Sequence, residues 1–227
     1  MKHIILAGDS IFDNRSYVNP GEPDVIKQLE SLLATGDKAR LLAVDGAVIT
    51  NVAGQLQNRP EDATHLFISV GGNDGLYMLD SLLSPVSSMG EGFLKFNPIR
   101  QDFEKRYSEM LRQALKVGLP TAVCTIYHPR FESTNLERMS GFIPQGITPS
   151  DLQKVAMNGL SIFNDIIFQE AVKSGVPIVD LRIIFNEDRD FANPIEPSML
   201  GGAKMTKVIK RVAYEHDFSL KNTVVFT

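Results

Sequence analysis

The sequence contains one cysteine, Cys124, so no internal disulfide can staple the fold. It lies within the apolar run Thr121-Ala122-Val123-Cys124-Thr125-Ile126, where burial is expected rather than reactivity. No apolar run approaches the roughly 20 residues needed to span a bilayer, so stable membrane insertion is not expected. The first apolar run is too short for a signal peptide and leads straight into Gly8-Asp9-Ser10, and a cytoplasmic location is therefore expected. The net charge is −4 and there is no basic stripe, which argues against nucleic acid as a partner. The glycines of Gly71-Gly72-Asn73-Asp74-Gly75 form neither a P-loop nor a dinucleotide fingerprint. The aspartates do not combine with His or Cys at metal-ligand spacing, so neither a cofactor nor a metal is expected. A Gly-x-Ser-x-Gly elbow is missing, as are repeats, low-complexity tracts and linkers, and residues 1–227 read as one domain. Only four histidines are present: His3, His65, His128 and His216.

Short apolar runs alternate with helical patterns. Strands are expected in the apolar run of Lys2-His3-Ile4-Ile5-Leu6-Ala7 that ends in Gly8-Asp9-Ser10, and at residues 41–44, 66–70, 121–127 and 176–181, with a β-like tail at Thr223-Val224-Val225-Phe226. Val25, Ile26, Leu29, Leu32 and Leu33 carry helical spacing, with Gly36 as a stop, and Ile49 to Leu56 can form a short helix. Asn97-Pro98 has the form of an N-cap and N1 pair, opening a helix lined by Phe103, Tyr107, Leu111 and Leu115. Thr148-Pro149-Ser150-Asp151 caps a further long helix, and another is expected from about Gly202 to His216. The alternation predicts an α/β fold: a three-layer α/β/α sandwich around a five-stranded parallel sheet, in the flavodoxin-like order 2-1-3-4-5. The long loop Phe131 to Gly146, with Phe131, Met139 and Phe142, is expected to shape an apolar pocket wall.

Two of these strands end in polar turns. The first delivers Ser10 after Gly8-Asp9, and the third delivers Asn73 after Gly71-Gly72. In the expected order the first and third strands are neighbours, and their carboxyl ends form the ligand crevice. A serine there can attack a substrate carbonyl while an asparagine amide donates to the developing oxyanion. Taken singly, each is equally an ordinary turn residue.

Gly8-Asp9-Ser10 and Gly71-Gly72-Asn73-Asp74 together resemble the first and third signature blocks of the SGNH (GDSL-type) esterases and lipases, and strand count and motif spacing fit over nearly the whole chain. The resemblance implies a small-molecule ester as substrate and a serine nucleophile, Ser10. A histidine in a late Asp-x-x-His motif would activate it, with oxyanion donors from the Ser10 N–H, a second-block glycine N–H and the Asn73 amide. In the second block, Val44-Asp45-Gly46-Ala47-Val48-Ile49-Thr50 places Thr50 at the glycine position and Gly46 four residues early; either can present the N–H.

The late motif departs from the family. In Asn193-Pro194-Ile195-Glu196-Pro197-Ser198, Glu196 stands where the histidine is expected and Asn193 where the aspartate is. The pair is chemically compatible. An aspartate beside Glu196 would set two carboxylates against each other, whereas an asparagine removes that repulsion and its amide can donate to the carboxylate. Glutamate starts about 3 kcal/mol short of histidine in proton-transfer driving force, a deficit that desolvation can reduce. Glu196 is equally explained as a favourable charge at the start of the following helix. His128, at the end of the fourth strand, is the alternative base, although one intervening strand sets it about 10 Å from the first. Asp180 could orient a residue of the late loop. An ester hydrolase and a catalytically impaired protein that binds an acylated or carbohydrate-like ligand both fit this pattern.

Overall fold

The computed structural model describes residues 1–132 and 146–227, so Met139 and Phe142 lie outside the described residues. In chain order the elements are β1 (His3–Gly8), α1 (Val25–Leu32), β2 (Lys38–Leu41), α2 (Val52–Gln55, flanked by single 3-10 turns), β3 (His65–Ser69), α3 (Gly72–Leu76), α4 (Leu79–Leu82) and α5 (Met89–Leu115). They are followed by β4 (Thr121–Cys124), α6 (Pro149–Ser174), β5 (Ile178–Val179), α7 (Leu181–Ile184), β6 (Phe191–Asn193), β7 (Glu196–Pro197), α8 (Met199–Glu215) and β8 (Val225–Phe226).

The main sheet is wholly parallel, in the order β2-β1-β3-β4-β5-β8. The expected order of the first five strands is present, and the C-terminal tail adds a sixth at the edge. The alternating pleat of each strand feeds two cores. Ile5, Ala7, Leu66, Ile68, Val123 and Ile178 face α5 and α6, whose Phe103, Tyr107, Phe163 and Ile167 complete that layer. Ile4, Leu6, Phe67, Ala122, Cys124 and Val179 face α1 and α8, meeting Leu29, Met205, Ile209 and Val212. Cys124 is buried, and desolvation pushes its thiol pKa up.

Several boundaries differ from the sequence reading. The second strand is Lys38–Leu41, because Leu42 and Ala43 both bond back to the Leu6 carbonyl and leave the ladder. The fourth stops at Cys124, and the fifth shrinks to Ile178–Val179. The helix expected to open at Asn97 starts at Met89 and runs through Pro98. Ser88 caps it by accepting from Glu91 N–H at 3.1 Å, while the Glu91 carboxylate takes the Ser87 N–H. That Ser-x-x-Glu start outweighs the local Asn-Pro signal. Pro98 lacks the N–H that would reach the Leu94 carbonyl, but Leu94 is 76% exposed and water can serve there. The late loop is not irregular either: β6 and β7 pair as a small antiparallel hairpin.

Candidate active site

The site begins where β1 turns. Gly8 has φ 134°, and a Cβ there would lie 1.8 Å from the Ser69 carbonyl oxygen, so only glycine allows β1 and β3 to end side by side. The turn that follows commits its amides one by one. Asp9 N–H donates to Ser69 O at 3.1 Å, Ile11 N–H to the Asp9 carboxyl at 3.1 Å, and the N–H groups of Phe12 and Asp13 to Asp9 O. The Ser10 N–H is left without a partner among the described residues. Gln55 braces the strand end from below, its amide accepting from Gly8 N–H and donating to Gly8 O, both at 2.8 Å.

Ser10 Oγ donates to Glu196 Oε1 at 3.0 Å. The two residues are 186 positions apart in sequence and only 6% and 4% exposed. Burial pushes the Glu196 carboxyl up to about 9, with the charges of Asp9, Asp45 and Asp13 adding to the rise and the Ser10 hydroxyl opposing it. Its Oε2 is buried and has no hydrogen-bond partner among the described residues. Asp9 is also pushed up, to about 7, chiefly by desolvation.

Glu196 is held by the hairpin, and the hairpin by its neighbours. Buried Asn14 donates to Pro197 O at 3.1 Å and accepts from Val25 N–H at 2.9 Å, tying the loop after Ser10 to the strand that carries Glu196. Tyr127 Oη donates to Ile195 O, and Arg130 N–H donates to Pro194 O at 2.8 Å. Asn193 does not donate to the Glu196 carboxylate as the sequence suggested. Its Oδ1 instead accepts the N–H groups of Ile195 and Glu196, both at 3.0 Å, which shapes the hairpin turn. A short polar side chain two or three residues before a turn bonds the local backbone more readily than a side chain beyond it.

Asn73 is the second residue of α3, whose N-cap is Gly71 (φ 118°), and forms part of the wall of the cavity at Ser10. One N–H of its amide donates to Ala47 O at 2.9 Å, which leaves the second. Gly46 and Thr50 are exposed and do not line that cavity. The amides between them are already committed: Ala47 to Val44 O at 3.0 Å, Val48 to Asn51 Oδ1 at 2.8 Å, and Ile49 to Asp74 Oδ2 at 3.0 Å. Asp74 is itself ion-paired with Arg106 of α5.

His128 does not face the crevice as expected. Ile126, Tyr127 and Pro129 line the cavity and His128 does not. Burial and the nearby Arg182 and Arg130 lower its pKa. Asp180 bonds Thr125 Oγ1 at 2.9 Å and both Nε and a terminal nitrogen of Arg182, so it does not orient the late loop. His3 pairs with Asp62 at 2.8 Å, His65 accompanies it at the amino end of the sheet, and His216 caps α8.

Beyond Asp9, Ser10, Asn73 and Glu196 the cavity wall is largely apolar, with Leu76, Leu79, Ile126, Phe131, Leu160 and Phe163 among its side chains. Two carboxamides fix it. Asn164 bonds the N–H and carbonyl of Ile126, each at 2.8 Å, and Gln153 bridges Phe131 N–H at 2.8 Å to Pro129 O at 2.6 Å. The sequence reading missed both, together with Asn14 and Gln55. Gln153 beside Leu152 and Asn164 beside Phe163, polar residues within an apolar helical stripe, were the available signal.

Among the described residues no three His, Cys, Asp or Glu side chains cluster to hold a metal ion, and no helix is long and apolar enough to cross a membrane.

No family model and no curated protein matches the chain. Solved structures do. An extracellular lipase from Streptomyces rimosus superposes with a TM-score of 0.60 at 16% identity, over 90% of this chain and 96% of that one. The acetyl xylan esterase AlAXEase gives 0.58 at 16% identity, again over 90% and 96%. A lipase/acylhydrolase from Enterococcus faecalis gives 0.57 at 15% identity, over 92% and 96%. Matched over nearly its full length at such low identity, and carrying Gly8-Asp9-Ser10 and Gly71-Gly72-Asn73-Asp74 at adjacent strand ends, the chain has the fold of the SGNH (GDSL-type) hydrolases.

Proposed function

We propose that the protein is a carboxylic ester hydrolase with Ser10 as nucleophile and Glu196 as base. The observation that carries this reading is the 3.0 Å bond from Ser10 Oγ to Glu196 Oε1, at the polar end of an otherwise apolar cavity. The similar folds include a lipase, an acetyl xylan esterase and a lipase/acylhydrolase, named activities that share ester cleavage.

In the acylation step Ser10 Oγ attacks the substrate carbonyl carbon and its proton passes to Glu196 Oε1. The oxyanion is met by the Ser10 N–H and the second N–H of the Asn73 amide. Collapse breaks the bond to the alcohol oxygen, which takes the proton back from Glu196. Water then attacks the acyl-serine, giving its proton to Glu196, and the acid leaves as Ser10 is re-protonated. Asn193 and Asn14 position the carboxylate, and Gly46 takes no part.

Desolvation removes much of the disadvantage of a carboxylate base. Raised to about 9, the Glu196 carboxylate becomes more basic than a free imidazole, at the cost of being only about one part in a hundred ionised at pH 7. The same fact supports a second reading, a ligand-binding protein. A neutral carboxyl beside Ser10 would act as a hydrogen-bond donor to an acylated or carbohydrate-like ligand and not as a base.

A serine-directed organophosphonate separates the two. The expected result is a Ser10 adduct, located by mass spectrometry, whose rate of formation rises about tenfold per pH unit toward pH 9 and then levels. An imidazole base would level near pH 6.5 or below. No adduct anywhere up to pH 10 would overturn hydrolysis in favour of binding.

A further inference from the structure

Leu82, the last residue of α4, stands between two apolar spaces. On one side is the cavity at Ser10, about 60 Å³ in volume. On the other is a groove of about 770 Å³ between α4, the first turns of α5, and α6, lined by Phe93, Phe96, Ile99, Val155 and Ile162. Among the described residues only Leu82 and Gly159 line both spaces. Gly159 is a mid-helix residue of α6, and a Cβ built on it would lie 3.2 Å from Leu82 Cδ1. The leucine therefore rests on bare helix backbone, and the wall between the spaces is one side chain thick.

Size decides what the inner space can hold. A cavity of about 150 Å³ takes benzene, or about 25 Å³ per carbon, so 60 Å³ takes about two to three carbons beyond the reacting carbonyl. The Ile126, Phe131, Leu160 and Phe163 side chains that close the other sides belong to the packed core, and core side chains yield little. Leu82 is only partly buried and, among the described residues, is the side chain of this wall that also lines the groove behind it.

We propose that Leu82, seated on Gly159, is the acyl-length stop, and that the substrates are esters of short acyl groups, from acetyl to about butyryl. This rests on the ester-hydrolase reading and adds its substrate class. The groove behind the stop is the space a longer chain would enter if the leucine were shortened.

The test is the kcat/KM series for p-nitrophenyl esters from acetate to dodecanoate, with the wild type, Leu82→Ala and Gly159→Ala. In the wild type kcat/KM should fall at least about tenfold between butyrate and octanoate. Leu82→Ala should raise the octanoate-to-acetate ratio by about tenfold or more, the range that a few methylenes in an apolar pocket command. Gly159→Ala exchanges a mid-helix glycine for the best helix former, so it should fold; its methyl wedges against Leu82 and should lower the butyrate-to-acetate ratio. A wild type as fast on octanoate as on butyrate, or a Leu82→Ala ratio equal to the wild type's, overturns the proposal. Failure of the parent reading looks different, since no ester of any length would then be cleaved in a Ser10-dependent manner. In that case calorimetric titration of Ser10→Ala, with and without Leu82→Ala, against methyl butyrate and methyl octanoate reads the wall without turnover. Octanoate binding only with Leu82→Ala supports the stop, and equal binding to both variants overturns it.

Discussion

The two halves of the site are built differently. Ser10 and Asn73 stand on the carboxyl ends of β1 and β3, neighbours in a parallel ladder from Ile4–His65 to Gly8–Ser69, and each turn is set by a positive-φ glycine next to it. Glu196 stands on a two-residue strand outside the main sheet, reached through the Asn14, Tyr127 and Arg130 hydrogen bonds. The first half is fixed by a continuous sheet ladder and glycine turns, the second by a few separate long-range hydrogen bonds. If Ser10 is the nucleophile proposed, its ladder-set position can tolerate loss of a single polar contact. The proposed base, placed by a handful of hydrogen bonds, cannot, because misplacement by about 1 Å can cost about 100-fold in rate.

The largest effect is expected where the halves meet. Glu196→Gln removes the proposed base and should lower kcat by about 1,000-fold or more, measured on a short-chain ester near pH 9. The same change should stabilise the fold in a pH-dependent way. Glu196 has a folded-state pKa of about 9 against 4.5 unfolded, so the folded state holds a proton that the unfolded state releases across that window. The stability of the wild type therefore declines from about pH 4.5 to pH 9, whereas glutamine is neutral throughout. The advantage of Glu196→Gln in thermal denaturation should be absent near pH 4, grow with pH, and saturate above 9 at a magnitude on the order of a few kcal/mol. A melting-temperature difference that does not change with pH would contradict the buried, neutral carboxyl.

Asn14→Ala sharpens the contrast by loosening only the hairpin side. It cuts the Pro197 bond and leaves the Val25 N–H without its acceptor, for about 1–3 kcal/mol of stability. Turnover should fall about 10- to 100-fold with KM changed far less, since Asn14 touches the support of Glu196, the proposed base, and not the cavity. An equal loss on the KM side would mean that the hairpin shapes substrate binding instead. The smallest effect is expected from His128→Ala, within about threefold in kcat/KM, because its ring lies outside the cavity wall. A fall of about 1,000-fold there would move the base to His128 and break the comparison.

The strand-built half is also the half that sequence reveals. Short apolar runs ending in Gly-Asp-Ser and Gly-Gly-Asn name both the strands and the residues they deliver, since period-2 burial and glycine turns are local codes. Glu196 is singled out by the late motif as a residue choice, and the fold brings it to 3.0 Å from Ser10 Oγ. The partner of Asn193 was misread because the sequence shows compatible groups but not which of them the turn will claim. The helix expected at Asn97 went astray for a related reason: the stronger capping pair, Ser88 and Glu91, begins nine residues further back.

Chemistry of the side chains and order of the strands were therefore set by the sequence itself, through burial period, turn residues and caps. What the tertiary structure alone decided is the environment of the carboxyl. Whether a glutamate is an ordinary surface acid or a buried carboxyl held near pKa 9 depends on how completely packing strips it of water. That depends on Asn14, Tyr127 and the hairpin meeting across a separation of well over 60 residues, a distance over which no local pattern carries information.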